Sequence, residues 1–497
     1  MNSRESLDRH RDLVRGLCRW LERNGNPVET LETHSASVLL AGGHAYKIKK
    51  PVNLGFLDFS TLERRRRFCH EELRINRRHA RFLYLDVLPV TGTMEEPALN
   101  GTGPVLDYAV HMRRFPQYQR LDHLLSRGRL DATDMAKLAR TLTAFHQRCQ
   151  RLAAAHPLHN VDALQEPLRE NLQECRLHLP DSPERDQCLA WSEEQLRQLT
   201  PLMERRLQEG RVRECHGDLH LANLFRDGDT IYPFDAIEFS EALRFIDVLN
   251  EVAFLAMDLE ARREPGLSAL FLSHYLEESG DYQGVALLRL FKAYRALVRA
   301  KVGAIQLAAA TAGEDEASAR DVRSYTRLAA AYGSPQPPRL WLMGGLSGSG
   351  KSTVALELVE AHGAIRIRSD VERKRLFGLR PDSRTGSAPG AGIYGPQAGA
   401  QTYERLEQLA RGLLESGWSV VVDAACLRHA ERETFRRLAA DGGWPFRLVW
   451  CEADTDTLKA RVQQRARDCN DPSEATMEVL QRQLEIVEPP SAEETAC

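Results

Sequence analysis

The sequence predicts two successive units of different class: an α+β unit with a strand-bearing small lobe and a helical large lobe, then an α/β unit built on a parallel sheet. Three observations carry this expectation. Strand-like segments at 37–40, 44–48 and 105–112 fall within the first 115 residues. Residues 116–332 are helical in pattern, interrupted near 214–240 by a short hydrophobic stretch rich in Asp, Asn and Gly. From Arg339, apolar strands at 340–343, 365–367, 420–422 and 448–451 alternate with helices, the pattern of a parallel sheet covered by helices. The expected organisation is therefore 1–332, with a small lobe at about 25–115 and a large lobe at 116–332, then a linker at 333–338 and a second unit at 339–497. The linker reads Gly333-Ser334-Pro335-Gln336-Pro337-Pro338, where prolines remove helix donors and stiffen the chain.

With 497 residues the chain has room for more than one core, and its composition is that of an ordinary globular protein. The 67 Lys and Arg against 70 Asp and Glu leave a net charge of −3, which excludes a globally cationic nucleic-acid binder but not a local basic site. No apolar run approaches the ~18–20 residues of a membrane span, and the N-terminus lacks a signal peptide's apolar stretch. The ten cysteines stand singly, without a CxxC pair, so free thiols in a reducing compartment are expected and the predicted location is cytoplasmic. A Gly/Pro/Ala stretch at 386–399 is too long for an ordinary connection and is expected as a loop near a site.

In the second unit, the strand at 340–343 runs into Gly345-x4-Gly350-Lys351-Ser352. Glycines at Gly345, Gly348 and Gly350, with Ser347 and Ser349 between them, let backbone N–H groups curl around phosphate oxygens, and the helix that follows presents its positive end. Lys351 can bridge the β- and γ-phosphates, Ser352 can ligate Mg²⁺, and Thr353 completes the run. ATP and Mg²⁺ are the cofactors this implies. Asp370 and Arg373, three residues apart on a helix, share one face. There Asp370 can take a proton from an attacking hydroxyl while Arg373 holds an anionic part of the acceptor; the plain alternative is a capping Asp with an exposed Arg. Asp423 ends an apolar strand in the manner of a Walker B carboxylate that supports Mg²⁺. Arg461, Arg465 and Arg467 lie on a helical segment placed like a kinase lid, or else form a solvated face. The runs GGLSGSGKST, SDVERKRLFG, VVVDAACLRHAERETF and RARDCNDPSEAT resemble small P-loop kinases of the polynucleotide-kinase, gluconate-kinase and zeta-toxin kind over about 339–485. The resemblance implies Asp370 as general base, Arg373 as substrate contact and Arg465 or Arg467 as lid arginine. Such folds carry a fifth parallel strand after the lid, and only four are expected here.

In the first unit, Cys215-His216-Gly217-Asp218 leads to Asn223 and then Asp235. The five-residue spacing from Asp218 to Asn223 matches the catalytic loop of protein kinases, whose chemistry needs a carboxylate to orient a hydroxyl and an amide oxygen plus a second carboxylate on the metal. His216 is expected to brace the loop and Cys215 to be buried filler. A kinase-like small lobe also needs a strand lysine paired with a helix glutamate. Alternation sends Lys47 and Lys49 to one face of their strand, with Lys47 preferred. A helix opened by the capping box Ser60–Glu63 places Glu72 on its apolar arc, with Glu71 outside, so Glu72 is the expected partner. The run of arginines from Arg64 to Arg67 reads as a solvated face. HGDLHLAN with a later acidic ligand resembles the aminoglycoside phosphotransferase and choline-kinase branch of kinase-like folds over about 25–310. The resemblance implies Asp218 as catalytic base and Asn223 and Asp235 as Mg²⁺ ligands, with Asp247 structural. No GxGxxG covers the phosphates, so Ser35, Ser37 and Gly42-Gly43 would have to serve.

The whole order resembles bacterial bifunctional aminoglycoside phosphotransferase/ATP-binding fusions. The expectation is a kinase with two sites, each moving the γ-phosphoryl of Mg·ATP to a small hydroxyl-bearing acceptor. The alternative makes one module a nucleotide-sensing regulator of the other.

Overall fold

A computed structural model describes residues 3–55, 57–309, 315–383, 385, 392–468 and 473–495. The chain condenses into two compact units: Met1–Leu130 with Ala144–Leu168 and Met203–Leu255, and Asp131–Thr143 with Arg169–Leu202 and Ala256–Cys497. Residues 333–338 run as a turn, a bend and irregular chain inside the second of these.

The first unit holds a six-stranded antiparallel sheet made of β1 (Val28–Glu32), β2 (Ala36–Ala41), β3 (His44–Lys49), β4 (Tyr84–Gly92), β5 (Pro97–Leu99) and β6 (Val105–Arg113), in the order β1-β2-β3-β6-β4-β5. Side-chain alternation divides each strand between two cores. Leu39 and Ile48 pack with Leu13, Leu17 and Leu21 of the Ser3–Arg23 helix, whereas Leu40 and Ala45 pack with Cys69 and Ala80 of the Leu62–Ala80 helix. The same alternation turns Lys47 and Lys49 toward the Leu62–Ala80 helix. That helix is capped one residue later than expected: Thr61, not Ser60, accepts the Arg64 N–H, because the Ser60 hydroxyl is bonded to Asp58. Its arginines are exposed at Arg64, Arg66 and Arg67, but Arg65 is buried and paired with Asp107 at 2.9 Å, which corrects the expectation of a wholly solvated run. The rest of this unit carries β7 (Val212–Glu214), the hairpin β8 (Leu224–Asp227)–β9 (Thr230–Pro233), and β10 (Phe245–Asp247), which pairs with β7.

The second unit holds a parallel sheet of β11 (Leu340–Gly344), β12 (Ile365–Arg368), β13 (Val420–Asp423) and β14 (Phe446–Trp450), ordered β12-β13-β11-β14. The near-continuous burial of β11, β12 and β13 is what helices on both faces require. Four strands are present among the described residues, as expected, and the last segments are the helices Met477–Ile486 and Ala492–Thr495. Within the 386–399 stretch, 386–391 lie outside the described residues, while Gly392–Tyr394 is a 3-10 turn entering the Pro396–Glu415 helix. No helix among the described residues is long and apolar enough to cross a membrane.

Candidate functional site

Two constellations form, one in each unit. In the first, β3 and the Leu62–Ala80 helix bring Lys47 Nζ to 2.9 Å from Glu72 Oε1 and Lys49 Nζ to 2.5 Å from Glu72 Oε2. Lys47 also bonds Asp235, and Lys49 bonds Glu238. Both lysines therefore share Glu72, and their second partners distinguish them: only Lys47 reaches the carboxylate expected on the metal. Glu72 is fully buried. Burial alone would raise its pKa, but Lys47 and Lys49 together hold it at about 2. Burial likewise pulls Lys47 down, and Asp235, Glu72 and Glu238 override it and push it well above its ordinary value. Two cations against three carboxylates leave this network one negative charge in excess, so its donor set fits a divalent cation at Asp235. Glu71 lies outside the network, bonded to Arg74 and Arg244.

The loop after β7 supplies the remaining groups. Asn223 Nδ2 donates to the Asp218 carbonyl at 2.9 Å and to Asp218 Oδ2 at 3.2 Å, so the amide oxygen is the atom it could offer to a metal. His220 Nε2 is 3.4 Å from Asp218 Oδ2, a contact for which the sequence offered no role. Gly217 has φ +88°, and a Cβ there would meet the Leu243 carbonyl at 2.7 Å, so the loop has no room for the Arg that protein kinases place here. His216 braces the loop as expected: its Nε2 is 2.8 Å from the Phe234 carbonyl. Glu251 Oε1 accepts the His216 and Gly217 N–H groups at 2.6 and 2.8 Å, with His146 2.8 Å from its other oxygen. Asp235 sits in the left-handed region at φ +62°, costly for a non-glycine residue. Its N–H donates to the Tyr84 hydroxyl at 2.9 Å and that of Ala236 to Asn76 at 3.0 Å, which fixes the carboxylate beside Lys47. Cys215 is buried with its thiol pushed well up by burial. Asp247 is bound by Arg206 at 2.6 and 2.8 Å. Ser37 is buried between His10 and Glu32, at 2.9 and 3.1 Å, and Gly42-Gly43 forms the β2–β3 turn. Ser37 is thus a packing residue.

Sequence reasoning missed Glu238, Glu251, Asn76 and Tyr84. Glu251 had a signal: a lone carboxylate in the apolar run VLNEVAFLAM has to find buried donors. Glu238 had none, because its partner arrives from 189 residues away.

In the second unit, a cavity of about 680 Å³ brings together Lys351, Ser352, Asp370, Arg373 and Asp423. The loop from Gly345 to Gly350 joins β11 to the Lys351–His362 helix. Gly345 has φ +130°, and a Cβ there would lie 2.3 Å from the Cys451 carbonyl, so β14 and this loop approach closely only through glycine. Ser349 is buried, Ser347 N–H donates to Gln483 at 2.8 Å, and Thr353 is exposed on the first helical turn. Lys351 Nζ donates to the Leu346 carbonyl at 2.7 Å. Asp370 and Arg373 meet at 3.3 Å, and the guanidinium lies 5.0 Å from the centre of the Tyr394 ring. Asp423 is buried at the end of β13, and among the described residues its Oδ2 finds no hydrogen-bond partner, the arrangement a metal ligand needs. Of the lid arginines, Arg461 donates to the Gly348 carbonyl at 3.1 Å and Arg467 is exposed; the side chain of Arg465 lies outside the described residues. Arg432 ties the end of the chain down, bonding Glu494 at 2.7 Å and the Glu488 carbonyl at 2.9 Å.

An AAA domain family model matches residues 340–490. The uncharacterized protein Rv2004c of Mycobacterium tuberculosis is 34% identical over 457 residues, covering 91% of this chain and 88% of its own. Among solved structures, a choline/ethanolamine kinase family protein from Mesorhizobium loti aligns with 62% of this chain and 88% of its own, at 15% identity and a TM-score of 0.39. A gluconokinase from Sinorhizobium meliloti aligns with 32% of this chain and 81% of its own, at 24% identity and a TM-score of 0.23. The chain thus carries an α+β unit built on a six-stranded antiparallel sheet, followed by a four-stranded parallel α/β P-loop domain that the AAA domain model matches.

Proposed function

We propose that this chain, which belongs to the protein family of Rv2004c of Mycobacterium tuberculosis, is an ATP-dependent phosphotransferase with two sites, each delivering the γ-phosphoryl of Mg·ATP to a hydroxyl of a small molecule. One observation carries the reading. Each unit independently assembles a cation for phosphate, a carboxylate for metal and a second carboxylate for the acceptor: Lys47, Asp235 and Asp218 in one, Lys351, Asp423 and Asp370 in the other.

In the first site Lys47, oriented by Glu72, neutralises phosphate oxygens, and Asn223 and Asp235 would hold Mg²⁺. Asp218 orients the acceptor hydroxyl and takes its proton as the oxygen attacks the γ-phosphorus and the bond from that phosphorus to the β-phosphate oxygen breaks, releasing ADP. In the second, backbone N–H groups between Gly345 and Gly350 and the Lys351 ammonium bind the phosphates, Ser352 and Asp423 would hold the metal, and Asp370 receives the acceptor's proton. Arg373, beside the Tyr394 ring, positions an anionic part of the acceptor, and Arg461, held at the Gly348 carbonyl, belongs to the helix that would act as the lid with Arg465 and Arg467. Mg²⁺ in either site supplies charge neutralisation across the phosphate oxygens. The functional boundary of the two catalytic modules is placed at the 333–338 segment.

A second reading makes the first module a nucleotide-sensing regulator. It is favoured by the connection between β1 and β2, only residues 33–35, where a phosphate-covering glycine loop would otherwise lie. Screening metabolites for ATP-dependent phosphorylation by the wild type, Asp218→Asn and Lys351→Ala separates the two. Two products, each lost in one variant, support two catalytic sites. A single product lost only in Lys351→Ala favours the regulator, and no product from any of the three overturns both readings.

A further inference from the structure

The β12 strand reads Ile-Arg-Ile-Arg, and all four residues are buried. Two buried arginines on a sheet strand are costly unless paired. Their partner is Glu277, on the Pro265–Ser279 helix that packs along β12 in the same unit. Arg366 Nη2 lies 2.8 Å from Glu277 Oε2, and Arg368 Nη1 lies 3.3 Å from Oε1. Ser273, one turn earlier on that helix, accepts the Arg366 backbone N–H at 3.0 Å, which sets the register of helix and strand. On their other side, Arg366 Nη1 and Arg368 Nε each stand 3.6 Å from Asp423 Oδ2. That distance is beyond a hydrogen bond, and among the described residues the Oδ2 atom has none.

We propose that Glu277 is a positioning residue of the P-loop site: by binding both guanidinium groups it holds them off Asp423 and keeps that carboxylate open to Mg²⁺. This rests on the reading of Asp423 as the metal-supporting carboxylate. The physical reason is a competition for one anion. Both buried guanidinium groups already reach Asp423 within 4 Å, and without Glu277 a closure of less than an ångström would turn these contacts into charge-assisted hydrogen bonds on the oxygen that a metal needs. Glu277 lies 63 positions before the P-loop strand begins, outside the residues 340–490 that the AAA domain model matches.

The test uses the full chain carrying Asp235→Asn, which disables the metal carboxylate of the other site, and calorimetric titration with ADP over a range of Mg²⁺ concentrations. The component counted is the one lost in Lys351→Ala. Adding Glu277→Gln is expected to raise the Mg²⁺ concentration at half-saturation by about tenfold or more, the scale on which outer partners of metal ligands act. ADP binding without metal stays as in the parent. Adding Arg366→Gln to Glu277→Gln removes one competing cation and is expected to restore most of the parent's Mg²⁺ dependence, which loss of folding would not allow. Glu277→Gln with the parent's Mg²⁺ dependence overturns the proposal alone. So does an equal loss of metal-free and Mg²⁺-dependent binding that the second substitution does not rescue. Absence of any Lys351-dependent nucleotide binding in the parent overturns the P-loop reading and this proposal with it.

Discussion

The two constellations solve the same electrostatic problem with different materials. Around Lys47, charge is handled by side chains: two lysines and three carboxylates, most of them buried, each depending on the others for solvation. Around Lys351, it is handled by backbone: a glycine-rich turn and a helix N-terminus, with the lysine resting on its own loop's carbonyl. Buried side-chain ions are expensive when a partner is removed, whereas backbone amides bring no such dependence. Function and stability should therefore be entangled at Lys47 and separable at Lys351.

The strongest break of that comparison is catalytic. Asp218→Asn should lower the turnover assigned to the first site by about 10²–10⁴-fold, and Lys351→Ala should lower the other by about 10²–10³-fold; steady-state assays of each product check that neither loss spreads to the other. Next is stability. Glu72→Gln strips Lys47 and Lys49 of their shared anion and should cost about 3–5 kcal/mol, while Lys351→Ala should cost about 1 kcal/mol or less. Denaturant unfolding measures both, and equal costs would erase the distinction. A smaller effect is expected at the glycine loop: Gly345→Ala, forced to φ +130° with its Cβ against the Cys451 carbonyl, should cost about 1–3 kcal/mol. It should also remove Lys351-dependent nucleotide binding, read by calorimetry.

The gentlest probe is pH. Glu72 and Glu277 are both held at about 2, against an ordinary value of 4.5. Burial opposes this in each, and it is outweighed by Lys47 and Lys49 for Glu72 and by Arg366 and Arg368 for Glu277. Because the folded-state values are depressed, the stabilisation is complete above 4.5 and is lost as pH falls toward 2. Each carboxylate should contribute no more than about 1.4 kcal/mol per pH unit across that window. Thermal unfolding between pH 5 and pH 2 should therefore fall less steeply in Glu72→Gln than in the wild type.

Much of this was legible in the residues. The P-loop announces itself because backbone geometry demands glycine at set spacings, and the strand before it and helix after it follow from local pattern. Glu72 could be chosen over Glu71 because a helix has only one apolar arc, and the structure pairs Glu72 with Lys47. The choice between Lys47 and Lys49 was not legible: alternation puts both on one face, and the distinction came from Asp235 and Glu238, which are adjacent to them only after folding. The capping residue slipped by one for a similar reason, since Asp58 competes for the Ser60 hydroxyl.

By itself, the sequence determined the elements and the chemistry each can offer, because periodicity, capping and phosphate-loop spacing are local. Tertiary structure alone decided which charges meet. Lys49 with Glu238, Glu251 with the Asp218 loop, and Glu277 with Arg366 and Arg368 join residues 34 to 189 positions apart. A buried ion takes whatever counter-ion the packing brings to it, and packing is not written at short range.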